Sequence, residues 1–143
     1  MPPNAPFVVA LPAPSGQHGE VDHSDVERWL ESYERAWRAP GTEALAELFS
    51  PAATYSPSPW ARAVEGLADI ARFWEDERTG PDEHFAMTHE VVAVDGATAV
   101  VRVSVDYASE SRWRDLWVIR FGADGSCSAF EEWPFAPGQP DGH

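Results

Sequence analysis

The sequence has no lysine and only one cysteine, Cys127. A lone cysteine rules out an intrachain disulfide, a Cys-x-x-Cys redox pair and a zinc site built on thiolates, and points to a reducing, cytoplasmic setting. All 10 basic residues are therefore arginine, against 24 acidic ones, for a formal net charge of -14. No basic cluster is left with which to track phosphates, so nucleic acid is excluded as a partner. Arginine without lysine also fits GC-rich coding, which suggests a bacterial source.

Long apolar runs are missing too. The PFVVALPAP segment has no basic residue ahead of it and is broken by Pro12 and Pro14, so it is neither a signal peptide nor a membrane span. The 5 histidines include no His-x-His or His-x-x-x-His pair. No metal centre is expected from that spacing, and no cofactor is called for.

What the chain does have is apolar material, 43% of 143 residues, enough for the core of one domain. Residues 1–20, rich in Pro, Gly, Ala and Asn, read as an extended arm whose Phe7, Val8 and Val9 are free to pack on the domain or a partner subunit. The domain proper is expected over 21–143. Ser24 and Glu27 make a capping box ahead of Val26, Trp29, Leu30, Tyr33 and Trp37, a first helix ended by Pro40-Gly41. Thr42 caps a second, shorter helix that buries Ala44, Leu45, Leu48 and Phe49 and stops before Ser50-Pro51. Residues 53–56 are a short strand. The following SPSPWARAV is a loop, and it places Trp60 at the rim of a pocket. A third helix over 67–78 carries Leu67, Ile70, Phe73 and Trp74 on one side and ends at Thr79-Gly80-Pro81.

Residues 84–135 then read as four strands in a row, FAMTHEVVAV, TAVVRVSVDY, RWRDLWVIRF and CSAFEEWPF. They are dense in β-branched and aromatic residues, and two of the short connections contain Asp-Gly, at Asp95-Gly96 and Asp124-Gly125. That pattern is an antiparallel meander. One face of such a sheet must be buried, and the upstream helices are the cover available.

This order of elements, with WLESYERAW, EALAELFSPAATY, VEGLADIARFW, VVAVDG and the terminal FGADGSCSAFEEWPF, resembles the nuclear transport factor 2-like superfamily, over residues 24–137. That superfamily includes the SnoaL-like polyketide cyclases and ketosteroid isomerase. The resemblance implies an α+β fold: a cone-shaped barrel whose strongly curved antiparallel sheet is backed by three N-terminal helices, with a pocket on its concave face and a homodimer as the usual assembly. Laid without gaps on ketosteroid isomerase, Tyr33 falls on the oxyanion-hole tyrosine, while Pro57 and Trp117 fall on the general-base aspartate and the second oxyanion-hole acid. That enzyme's mechanism is not carried over. The last strand reads Glu132-Trp133-Pro134 where SnoaL-like cyclases commonly have a His-Trp-Asp type sequence.

Strand alternation sorts side chains by face once the family's concave side fixes the phase. Inward then point Phe85, Met87, His89 and Val91; Val101, Val103, Val105 and Tyr107; Trp113, Asp115, Trp117 and Ile119; and Phe130 with Glu132. The third strand supports this phase by itself, since Arg112, Arg114 and Arg120 share one face and Trp113, Trp117, Ile119 and Phe121 the other. Asp115 lies among tryptophans, where lost hydration raises its pKa unless donors or a cation hold it. Two readings follow: a general acid or base poised toward neutral pH, or a core carboxylate satisfied by hydrogen bonds. Glu132 shares the face and can form a carboxyl pair with it. His89 can complete a dyad with Asp115, or be a satisfied core histidine, and Tyr33 and Tyr55 can donate to a developing oxyanion.

The catalytic candidates are thus Asp115, His89, Glu132 and Tyr33. Ligand contacts are expected from Tyr55, Trp37, Trp60, Phe73, Phe85, Met87, Val103, Val105, Trp113, Trp117 and Phe130, an aromatic lining suited to a small apolar organic ligand. The outward face, with Arg102, Ser104, Asp106, Arg112, Arg114, Arg120, Glu131 and Trp133, is expected to pair two subunits. The function expected is a small-molecule pocket protein, cofactor-free and acting by acid/base chemistry (cyclase, isomerase, dehydratase or hydrolase) on an apolar carbonyl-bearing metabolite. The alternative is a non-catalytic ligand-binding or dimerisation module of the same fold.

Overall fold

The first helix, α1 (His23–Arg38), begins two residues earlier than the Ser24/Glu27 pattern suggests. Asp22 is the N-cap: its carboxylate accepts the Asp25 N–H at 2.8 Å while Asp25 accepts the Asp22 N–H at 2.9 Å. Ser24 only donates its hydroxyl to Asp22. A charged acceptor outcompetes a hydroxyl for the free N–H groups of the first turn, and it also faces the positive end of the helix. Val26, Trp29, Leu30, Tyr33 and Ala36 fall on one stripe and are buried.

A computed structural model describes residues 20–78 and 83–140 of this chain. The expected arm over 1–20 thus lies, apart from Glu20, outside the described residues, as does the Thr79-Gly80-Pro81 stop.

Helix α2 (Leu45–Leu48) is a single turn without a side-chain cap; Thr42 serves it through its carbonyl, which accepts the Leu45 N–H, rather than through its hydroxyl. Leu45 and Leu48 are buried and Ala44 is not. Phe49 has already left the helix and opens strand β1 (Phe49–Ser56), longer than the four residues expected. The extension comes from pairing with a strand far along the chain, which no local pattern encodes. Its register slips between Phe49 and Thr54, where Pro51 has no N–H to give. A two-residue strand β2 (Val64–Glu65) and helix α3 (Leu67–Glu77) follow, the helix on the residues expected with Ile70 and Trp74 buried.

The meander forms as β3 (Phe85–Asp95), β4 (Thr98–Tyr107), β5 (Arg112–Phe121) and β6 (Cys127–Phe135), each antiparallel to the next. Gly96 adopts φ 60° in the β3–β4 turn, the left-handed conformation that such hairpins require. Its carbonyl accepts the Val21 N–H and ties the start of the domain to the sheet. The whole sheet has six strands in the order β2-β1-β6-β5-β4-β3, with β1 parallel to β6. It is therefore mixed, curved and unclosed, an α+β cone rather than a sealed barrel. A bulge at Val92 shifts the β3 register between Val91 and Ala93 and leaves Val92 outside.

The helices cover one half of the concave face with a dry aromatic core. Trp29, Tyr33, Phe49, Trp74, Trp117 and Phe130 touch one another there; Tyr33 lies 4.7 Å from Trp117 and 5.1 Å from Trp74 between ring centroids. Truncating one such fully buried ring, Trp74 or Phe130, costs about 3–5 kcal/mol by cavity formation. No helix among the described residues is long and apolar enough to cross a membrane.

Candidate functional site

The other half of the concave face stays open. Here the start of β3, the end of β4, the start of β5 and the end of β6 meet, with Phe85 opposite Tyr107, Val105 opposite Trp113 and Asp115 opposite Pro134. Because residues two apart share a face, these strands turn Phe85, Met87, Val105, Tyr107, Trp113, Asp115, Trp117 and Glu132 into one hollow. Tyr33 and Trp37 of α1, Tyr55 of β1 and Phe73 of α3 close its sides. The cavity holds about 360 Å³, the size of a small-molecule site.

Four of the expected residues do not join it. His89 turns to α1, where its Nε2 is bound by Glu27, which His23 also approaches at 3.6 Å. The His89–Asp115 dyad is therefore not formed, because a carboxylate on the covering helix claims the imidazole before the strand's own face can. Trp60 is 98% exposed on the loop between β1 and β2 and lines nothing. Val103 and Phe130 do face inward, but beneath the helices, as fully buried core. Conversely Glu77, Glu83, Tyr107, Ser109 and Ser111 line the cavity without having been singled out as site residues. Glu77 was legible in principle, since it lies one helical turn beyond Phe73 on the same face of α3.

At the inner end a chain of hydrogen bonds runs from α1 to β5. The Tyr33 and Tyr55 hydroxyls are 3.3 Å apart, Tyr55 donates to Glu132 Oε1 at 2.9 Å, and Trp117 Nε1 donates to Asp115 Oδ2 at 3.2 Å. Since Tyr55 spends its proton on Glu132, Tyr33 is the donor to Tyr55. Both phenols are held well above their ordinary pKa, chiefly by burial, and stay protonated. Their donors are thus committed to the acid end, and neither is free for a ligand oxygen as the sequence suggested.

Asp115 is only 8% exposed, and its Oδ1 has no hydrogen-bond partner among unprotonated neighbours. Glu132, its diagonal neighbour across the β5–β6 ladder, is the acid placed to offer a donor there when protonated. Burial first, and then the negative charge of Asp115, push the Glu132 carboxyl well above the usual range. Burial also raises Asp115, but hydrogen bonds from Glu132 and Trp117 oppose the rise and favour its ionised form. Both carboxyls are thus raised above their ordinary values, and the two titrate as a pair.

A second hollow, of about 410 Å³, lies at the opposite end beside Trp29, Phe121 and Gly125. Two of its acids are already occupied, Asp25 by the α1 cap and Arg28, and Asp124 by Ser126; the third, Glu20, is exposed at its edge. Among the described residues no group of three or more His, Cys, Asp or Glu converges as metal ligands would.

Comparison with known proteins places the fold. No curated protein matches the sequence. Among solved structures, a provisionally assigned ketosteroid isomerase from Kribbella flavida is 21% identical, with a TM-score of 0.61 over 84% of each chain. SalBIII, described as an epoxide hydrolase/cyclase-like enzyme in pyran ring formation of the polyether salinomycin, is 16% identical, with a TM-score of 0.65 over 80% of this chain and 93% of that one. A provisionally assigned polyketide cyclase from Sinorhizobium meliloti is 22% identical, with a TM-score of 0.60 over 76% of this chain and 97% of that one. These similarities establish shape and not activity. Residues 26–130 match the SnoaL-like domain family, and this protein belongs to it.

Proposed function

We propose that the protein is an acid/base enzyme that enolises an apolar, carbonyl-bearing small molecule, with isomerisation or ring closure as the outcome. One observation carries this reading: Asp115 and Glu132, two carboxyls both raised above their ordinary values, are brought together at the inner end of an aromatic cavity, where we read them as sharing one proton, Glu132 the acid and Asp115 the base. Ionised Asp115 takes the proton from the carbon next to the carbonyl, the C–H pair becomes the new C=C bond, and the carbonyl oxygen takes the Glu132 proton. The pair begins and ends with one proton, so no net charge is created in the site. Tyr55 and Trp117 hold the two carboxyls in place, and Trp37, Phe73, Phe85 and Trp113 offer the flat apolar contact a ring system needs. The isomerase and cyclase names of the similar structures agree with this class of reaction.

The test is solvent deuterium exchange at the α-carbons of a panel of cyclic and polycyclic ketones. The protein accelerates exchange for at least one of them, and Asp115→Asn or Glu132→Gln lowers that rate by about 10²–10⁴-fold. Exchange that survives both substitutions rejects the reading.

The outer sheet face is read as a homodimer interface. Leu116 and Trp133, paired across β5 and β6, are 38% and 39% exposed and Phe135 is 43% exposed, within a rim that includes the Arg114–Asp106 and Arg102–Glu90 ion pairs. An apolar centre with a charged border is the composition of a subunit contact.

A further inference from the structure

The cavity holds four carboxyl side chains, Glu77, Glu83, Asp115 and Glu132, and no Arg, Lys or His in its lining. All of the chain's arginines are among the described residues, so none is held in reserve. Two of them line an adjoining hollow that shares Trp37, Glu83 and Phe85 with the cavity. Arg38 lies 4.0 Å over the Phe85 ring and is bound to Glu34; Arg78 donates to the Ala39 and Gly41 carbonyls and to Glu75. Asp115 and Glu132 compensate one another through their shared proton. Glu77 and Glu83 have no such arrangement, and among the described residues neither meets a cation.

The resulting field is felt inside the cavity. The charge of Glu77 adds to the upward push on Glu132, and that of Glu83 does the same to Tyr107. A neutral ligand is indifferent to such a field, and a carboxylate or phosphate is repelled by it. A cation is attracted twice, by the carboxylates and by the π-faces of the aromatic lining.

The geometry points to a cationic ligand: an apolar, ring-bearing amine whose protonated nitrogen is drawn to Glu77 and Glu83 while its carbonyl-bearing body reaches Asp115 and Glu132. This rests on the acid/base reading of the same cavity and adds the charge class of its substrate. A phosphate or carboxylate inside the cavity would find no counter-charge in its lining.

The test uses the full-length protein at neutral pH and three probes with one ring system: naphthylmethylamine, naphthylmethanol and naphthoate, titrated by calorimetry. The amine binds at least about tenfold more tightly than the alcohol, and naphthoate does not bind. Added salt weakens the amine alone, and the Glu77→Gln, Glu83→Gln double substitution brings amine and alcohol together. Equal binding of amine and alcohol, measurable naphthoate binding, no binding of any probe, or an amine preference that survives the double substitution overturns the proposal. The two readings fail separately. Deuterium exchange that depends on Asp115 and Glu132, together with no amine preference, removes the cation proposal only. An amine preference lost with Glu77 and Glu83, together with exchange indifferent to Asp115 and Glu132, supports the cation and removes the enolisation.

Discussion

Asp115 and Glu132 sit diagonally across the β5–β6 ladder, Asp115 opposite Pro134 and Glu132 opposite Trp117, so that both carboxyls line the inner end of the cavity. Diagonal neighbours on one sheet face stand roughly 7–8 Å apart at the backbone, a gap that two acidic side chains can close. Two buried acids with one retained proton make a store of chemistry and a liability for stability.

That liability is measurable. Both carboxyls have folded pKa values raised above their ordinary 3.8 and 4.5, so between those values and the folded ones the native state binds more protons than the unfolded state. Stability from this pair is then present at acid pH and is lost as pH rises through the folded values. Denaturant unfolding across pH 4 to 9 is expected to show a decline that flattens in an Asp115→Asn, Glu132→Gln double variant, with the variant more stable than the parent at the alkaline end.

Tyr55 is the partner that eases Glu132 toward ionisation, because its hydroxyl favours the charged form. Tyr55→Phe removes that donor and leaves Tyr33 without its acceptor. The variant is expected to lose about 1 kcal/mol of stability and to raise the Glu132 pKa further. A carboxyl-detected titration reads the second effect, and an unchanged or lowered Glu132 value contradicts the hydrogen-bond chain.

His89 gives the converse case. Its imidazole belongs to Glu27 and lies away from the cavity, so His89→Ala is expected to cost no more than about 1 kcal/mol and to leave α-proton exchange at the parent rate. A large loss of exchange would restore the dyad that its place in the sequence suggested.

The strand phase was legible because Arg112, Arg114 and Arg120 alternate with Trp113, Trp117 and Ile119, and a one-residue slip would have buried three guanidiniums. Asp115 follows from that alternation alone, whereas the inward place of Glu132 rested on the family's concave face to fix the phase of the last strand. What alternation does not contain is what lies over each inward residue: whether a helix covers it, as at Val103, His89 and Phe130, or leaves it open, as at Val105, Met87 and Trp113. The parallel pairing of β1 with β6 was illegible for a similar reason, since it joins Tyr55 to Phe130 across most of the domain's length. The mutual engagement of Tyr33 and Tyr55 escaped as well, because a hydroxyl's partner depends on the fold and not on spacing.

The outer face carries a prediction of its own. If Leu116 and Trp133 form the centre of a subunit contact, light scattering reports twice the chain mass for the parent and a monomer for a Leu116→Arg, Trp133→Arg variant that keeps its circular dichroism. A monomeric parent rules out this interface.

The most direct measurement is a carbon-detected NMR titration of the Asp115 and Glu132 carboxyls in the parent and in Asp115→Asn. The account expects both carboxyls of the parent to titrate above ordinary values, Glu132 the higher of the two. Removing the Asp115 charge should bring Glu132 down, because that charge is part of what raises it. Two independent titrations at ordinary carboxyl values, with Glu132 indifferent to the loss of Asp115, would show that no proton is shared and that the cavity has no acid/base pair.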